Sequence, residues 1–356
     1  MTSFIPSYQF LIRGFLLYMQ YDKPFKTYEE LIEIMESRNI IISDHNFAKR
    51  ILSDVSYYTL INGYKNTFLS LDGSDAFVPG TNFEELYTIH LLDTSLCSIL
   101  LKYILCIERS LKSKISYIVS EKYGVYTNIN DKYSKSTDDY LCIKNYSNSN
   151  NKRKSILSSI HECGIDSRNN LSLNHYKTTK NHIPPWILIS NVPFGLSIQW
   201  YGILRKDDKD YVCEKMLHQS TLPLEQKKEL LQKCLGILKD YRNSMAHGTK
   251  TFSQTTSFEL PRLPLLTAAP SLINNKEYLS GIGKNDLFSV IIILCLLIND
   301  SFVHANMLMD LKALFQLYIE NDIRFCQKSV FEIFEFPKDI FVRIENYISN
   351  KYSQNT

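Results

Sequence analysis

Apolar residues recur three and four positions apart through most of the chain, and strict alternation is scarce. That pattern predicts an all-α fold. Tyr28 to Ser37 reads as a short amphipathic helix. Ser43-Asp44 reads as an N-cap for a second helix carrying Phe47, Ile51, Leu52, Val55, Tyr58 and Leu60. The Gly- and Asp-bearing stretch from Leu71 to Asn82 marks turns. Phe83 to Tyr123 is the longest periodic stretch. Leu86, Ile89, Leu92, Leu96, Ile99, Leu100, Tyr103, Ile107, Leu111, Ile115 and Ile118 form one stripe, and Gly124 closes it. A stripe of that length predicts the long helix of a bundle.

The pattern then lapses. Val125 to Asn181 is dense in Asn, Ser, Lys, Tyr and Asp and has few periodic apolar positions, so it reads as an insertion, partly disordered or loosely folded. Order resumes at Ile183-Pro184-Pro185-Trp186, where paired prolines enforce extended backbone ahead of a helix. Thr221 reads as the N-cap of a helix with Pro223 in its first turn, and Leu231, Cys234, Leu238, Tyr241 and Met245 give that helix one buried stripe. Gly248 supplies its C-terminal stop. Phe252 to Lys276 reads as proline-rich and irregular, Asn285 to Ile319 as a second long apolar helix, and Asp339 to Ser349 as a terminal one. The expected organisation is an N-terminal helical region (1–82), a helical bundle (83–124 and 184–320), a polar insertion (125–183) and a C-terminal helical segment (321–356). There is no repeat of 20–50 residues.

Composition adds limits. With 356 residues, 44% of them hydrophobic and 22% charged, the chain can bury a sizeable core. A formal charge of +3 does not by itself argue for nucleic acid, but a local basic patch suffices for phosphate contacts. The eight cysteines form no Cys-x-x-Cys pair and read as reduced, small hydrophobes of a cytoplasmic protein. Arg13 interrupts the apolar run Phe10 to Leu17, so no signal peptide is expected. The longest apolar run, Leu287 to Ile298, falls short of the roughly twenty residues of a membrane span. It reads as a buried helix, and no membrane partner is expected.

The chemistry concentrates in Tyr241-Arg242-Asn243-Ser244-Met245-Ala246-His247-Gly248. RNA is cut without a metal when its 2′-hydroxyl attacks the adjacent phosphorus. That needs a base near the hydroxyl, an acid for the leaving 5′-oxygen and a cation over the phosphoryl oxygens. Histidine titrates in the range for the proton work, and arginine grips phosphate with a planar fork. On a helix whose inner face is set by Leu238, Tyr241 and Met245, Arg242 lies roughly 50° from that face and His247 nearly opposite it. Asn243 is four residues before His247, on the same side, where it could orient the imidazole. One chain thus supplies half a site; two copies meeting on this face would supply two Arg and two His. An Arg and a His separated by four to six residues is a weak motif, with about 0.7 chance matches expected here. Arg38 with His45 and Arg168 with His175 also match, but neither pair sits late in a long amphipathic helix. The bland reading is an exposed Arg and His at a helix C-terminus, interacting with the helix dipole.

Other residues carry weaker signals. Glu108 either pairs with Lys112 one turn on or reaches Arg242 across the bundle and sets its position. Lys239 extends the basic face or is simply solvated. Trp186 and Trp200 read as core or hinge residues. In the insertion, Arg153 and Lys177 lie among Tyr133, Tyr140, Tyr146 and Tyr176, an interleaving that suits single-stranded RNA but also an ordinary loop. His161, Cys163 and His175 lack zinc spacing, and no cofactor is expected.

The order of blocks resembles the Abi-like abortive-infection proteins of bacteria (the AbiD/AbiF type) of the HEPN superfamily. The blocks are Phe47-Ala48-Lys49-Arg50-Ile51-Leu52 with Ser56-Tyr57-Tyr58-Thr59-Leu60 and Gly63-Tyr64; Phe83-Glu84-Glu85-Leu86-Tyr87 through Leu92-Asp93 to Ile107-Glu108-Arg109; Pro184-Pro185-Trp186 with Pro193-Phe194-Gly195; and Arg242-Asn243 with Ala246-His247. The resemblance implies a HEPN-type helical bundle and a dimeric, metal-independent endoribonuclease. It would leave 2′,3′-cyclic phosphate ends and act in phage defence on cellular or phage RNA, with Arg242, Asn243 and His247 catalytic. It further implies that a small non-coding RNA is a partner in some members. The chain departs from the family pattern where Asp93 is followed by Leu96-Cys97 rather than Leu-Arg, where Lys112 stands for an arginine, and in the long insertion before Pro184. Those departures bear on secondary RNA contacts. The rival function is a helical RNA- or protein-binding module whose site is inert.

Overall fold

The computed structural model describes residues 23–70, 73–129, 134–148, 151–166, 170–248 and 250–353. Two compact units divide the chain between His90 and Leu91. The first begins with α1 (Tyr28–Ser37), whose start is dictated by a capping box. The Thr27 hydroxyl accepts from the Glu30 amide, and the Glu30 carboxylate accepts from the Thr27 amide. Asp44 caps α2 (His45–Asp54) by accepting from the amides of Asn46 and Phe47. The sequence pattern carried this helix on to Leu60. Instead Val55 is extended, and a separate π-helical turn, Tyr58–Asn62, leads into α3 (Gly63–Phe68). The Ser56 hydroxyl accepts from the Thr59 amide, so the chain restarts where the apolar spacing alone looked continuous.

The long helix is α4 (Phe83–Tyr123), with Gly124 at φ +79° ending it as expected. By length and composition it is the one described helix that could cross a membrane. In the second unit its stripe of Leu92, Leu96, Leu100, Tyr103, Ile107, Leu111 and Ile115 is buried. The helices α5 (Arg153–Ile165), α6 (Leu171–Thr179), α7 (Pro185–Leu188), α8 (Phe194–Ile203), α9 (Lys206–Met216) and α10 (Leu224–Ala246) follow. Helix α10 packs against α8 and α9. It begins one residue after Pro223, which itself occupies the N-cap in place of Thr221.

The polar stretch, expected to be partly disordered or loosely folded, holds α5 and α6 among its described residues and contributes a buried aromatic core. Tyr140 and Tyr146 are buried and their hydroxyls donate to the carbonyls of Ile183 (2.8 Å) and Tyr140 (2.7 Å), while the buried Trp200 indole donates to Tyr146 at 3.1 Å. Aromatic rings at irregular spacing build this core, so no period betrays it. Those two tyrosines are consequently closed to base stacking; Tyr133 lies outside the described residues. Trp186, by contrast, is half exposed.

The stretch 252–276, read as irregular, holds two short helices, α11 (Arg262–Ala268) and α12 (Asn275–Leu279). The second long apolar helix is two, α13 (Leu287–Leu297) and α14 (Ser301–Glu320), because Asp300 caps a fresh start by accepting from the Val303 amide. Every residue of α13 is buried, as its unbroken apolar run predicts. A two-residue hairpin, β1 (Arg324–Phe325) with β2 (Lys328–Ser329), precedes α15 (Val330–Phe334) and α16 (Ile340–Ser353). The Lys351 ammonium of α16 donates to the carbonyls of Cys295, Leu296 and Ile298 at 2.7–2.9 Å, so it satisfies the open end of α13. Among the described residues the fold is all-α apart from that hairpin and two isolated bridges, Ile41 with Asn82 and Leu69 with Phe77.

Candidate active site

The last turn of α10 presents the motif. Tyr241 and Met245 are buried, Arg242 is partly exposed, and Asn243, Ala246 and His247 face solvent. A 100° step per residue separates the faces in this way. His247 is the C-cap residue, and Gly248 at φ +66° turns the chain away after it. The imidazole therefore stands at the open end of the helix rather than inside the bundle.

Arg242 sits between two acceptors. Its Nη1 is 3.5 Å from the Asn243 side-chain oxygen. Its Nε is 3.9 Å from Glu108 Oε2, an ion pair without a hydrogen bond. Glu108 is on α4 and its side chain is only 9% exposed. The other carboxylate oxygen takes the Lys112 ammonium at 2.7 Å. Both sequence readings of Glu108 are thus present: the helical partner one turn on, and Arg242 across the bundle. A buried carboxylate behind the guanidinium limits the rotamers open to Arg242 while leaving its outer edge to solvent.

The chain after His247 is tied back to the bundle by residues that no local pattern marks. The Thr251 hydroxyl donates to Asp93 Oδ1 at 2.7 Å, with both residues buried. Cys97 Sγ lies 3.4 Å from the same hydroxyl. Burial, and then the Asp93 charge, push the Cys97 thiol up to about 12, so it is a packing group rather than a nucleophile. Burial lowers the Lys250 ammonium below its usual range while the Asp93 charge opposes that shift. The Gln254 amide donates to the Ser244 hydroxyl at 2.8 Å, and the Tyr241 hydroxyl donates to the Gln254 carbonyl. Residues 250–254 thereby run back beside the last turn of α10 and hold its end. Asp93 and Cys97 stand where the Asp-x-x-Leu-Arg pattern places Asp and Arg. Here Cys97 and the Thr251 hydroxyl both lie against Asp93, whose charge also acts on Lys250.

The three basic RNA-contact candidates are engaged within the fold. Lys239 lies 3.1 Å from Asp240 and over the Phe258 ring at 5.5 Å. Its stem packs on Gly195 (3.5 Å to the position of a Cβ), and the Phe258 ring covers Gly236 so closely that a Cβ there would meet it at 2.7 Å. Arg153 donates to the Tyr146 carbonyl at 2.9 Å, and Lys177 donates to the Ile165 carbonyl at the end of α5. Among the described residues, no group of three or more His, Cys, Asp or Glu side chains is placed to hold a metal ion.

The sequence profile described as Abi-like protein matches residues 50–253, more than half of the chain. This chain belongs to the Abi-like protein family. The matched span takes in the long helix with Asp93 and Glu108, the Pro-Pro-Trp and Phe-Gly segments, the Arg-Asn-x-x-Ala-His turn and the Thr251 anchor behind it. Comparison with curated proteins and with solved structures found no match. The resemblance of the sequence blocks to this family is confirmed, and the all-α fold with it. The geometry of the Abi-like chain is that of a helix end whose Arg is braced from behind and whose Asn and His are open in front.

Proposed function

We propose that this Abi-like protein is an endoribonuclease of the HEPN type acting in abortive infection, the phage-defence role that family membership supports. One observation carries the reading: Arg242 and Asn243 in the last turn of α10 stand beside His247 at its C-cap, with a buried Glu108 behind the arginine. In the proposed reaction an imidazole takes the 2′-hydroxyl proton as the 2′-oxygen bonds to phosphorus. The bond to the 5′-oxygen breaks, an imidazolium returns a proton to that oxygen, and a 2′,3′-cyclic phosphate remains. Guanidinium groups carry the charge that builds on the phosphoryl oxygens. No step requires a metal.

One chain presents one such His and one such Arg, and both proton transfers are served most directly by two. A second copy docked on the same face would bring the pair together in one groove. The single-turnover cleavage rate per chain should therefore rise with the dimer fraction as protein concentration increases, measured alongside sedimentation. A monomer with full activity contradicts the composite site.

A further inference from the structure

The first unit holds an open trough of about 1080 Å³ that the catalytic reading does not use. Four lysine or arginine side chains and two carboxylates line it, an excess of positive charge. Its deepest cations converge on a single acid. The Arg38 guanidinium lies 2.6 Å from Asp75 Oδ2, and the Lys65 ammonium contacts Oδ1 of the same carboxylate. The cations are 14% and 27% exposed, whereas Asp75 is 65% exposed. Lys65 first, and Arg38 after it, hold the Asp75 carboxyl below its usual range. The Tyr57 hydroxyl accepts from Arg38 at 2.8 Å, which fixes the guanidinium from the other side. Two positioned cations facing an exposed, displaceable oxyanion are the donor set of a phosphate site.

The rim is aromatic. Phe25 is 88% exposed, Tyr58 72% and Tyr28 43%. Tyr58 begins the π-helical turn, a feature concentrated at functional sites. Exposed rings around a cationic floor suit successive bases on rings with the backbone phosphate between them. A duplex keeps its base faces stacked inside and could use only the cations.

We propose that this trough binds single-stranded RNA, with a phosphate displacing the Asp75 carboxylate from Arg38 Nη2 and Lys65 while Arg38 Nε keeps its bond to the Asp75 backbone carbonyl, and with bases stacking on Phe25, Tyr58 and Tyr28. The choice of RNA rests on the ribonuclease reading; the location rests on the trough alone. The test is fluorescence anisotropy with a labelled single-stranded RNA of about ten nucleotides, in the full chain carrying His247→Ala so that binding is read without cleavage. Phe25→Ala and Tyr58→Ala should each weaken binding about fivefold or more, and Tyr58→Trp should retain it. Lys65→Gln should flatten the salt dependence by about 0.7 in log–log slope, the contribution of one phosphate contact. Both rings are exposed, so these changes leave the fold intact. Unchanged affinity in both alanine variants, or equally tight binding of a duplex of the same sequence, overturns the proposal. Loss of binding in them stands even where the parent protein cuts no RNA, so this site and the catalytic reading fail separately.

Discussion

Replacement of His247 by alanine should lower RNA cleavage by about 10²–10⁴-fold, the range in which a positioned acid–base group contributes, and abolish protection against phage with it. The imidazole is exposed at the C-cap, so the unfolding midpoint should stay where it is. Arg242→Ala should cost about 10²–10³-fold, as removal of one donor to the developing negative charge does. Arg242→Lys should recover little of that loss. A lysine presents a point charge, without the planar fork that meets Glu108 on one edge and phosphate on the other. Cleavage assays with purified variants and plaque counts in cells read the two effects together. Survival of both cleavage and protection in both variants would turn the reading toward an inert helical module that binds RNA or protein.

Glu108 carries the second large effect. Its carboxylate is nearly buried and serves Lys112 at 2.7 Å and Arg242 at 3.9 Å, so its truncation strands two cations. Breaking a buried pair from one side costs about 3–5 kcal/mol. Arg242 is 35% exposed and its contact is long, so solvent screens part of the loss and the lower end, about 3 kcal/mol, is expected for Glu108→Ala. Glu108→Gln keeps the shape and a hydrogen-bonding oxygen but not the charge. It should destabilise less than alanine and still reduce cleavage, because Arg242 loses the counter-charge that holds its rotamer. Chemical denaturation gives the first quantity and single-turnover cleavage the second. An unshifted denaturation midpoint in Glu108→Ala would show that the brace does not bear on the fold.

Local rules accounted for much of this architecture. A sustained apolar period placed α1 and α4 at their observed ends, Asp44 marked the start of α2, and Gly124 and Gly248 marked two terminations. Where one cap interrupts an apolar pattern the reading failed: Asp300 divides α13 from α14, and Ser56 restarts the chain after α2. The Tyr140–Tyr146–Trp200 core was illegible because its partners lie at irregular spacing and are joined through backbone carbonyls. The same division runs through the site. Helical period alone put Tyr241 and Met245 inside and Asn243 and His247 outside. It could not show that Thr251 reaches Asp93 across 158 positions, or that Arg153, Lys177 and Lys239 each find a partner within the fold. Contacts made by chain folding, rather than by chain period, decide which partners each charged residue holds.

The most direct test of the catalytic reading is the chemistry of the cut ends. Purified protein incubated with single-stranded RNA in the presence of EDTA should leave 2′,3′-cyclic phosphate and 5′-hydroxyl termini, and the His247→Ala protein should yield them about 10²–10⁴-fold more slowly. An absolute requirement for magnesium, or products ending in 3′-hydroxyl and 5′-phosphate, would contradict it.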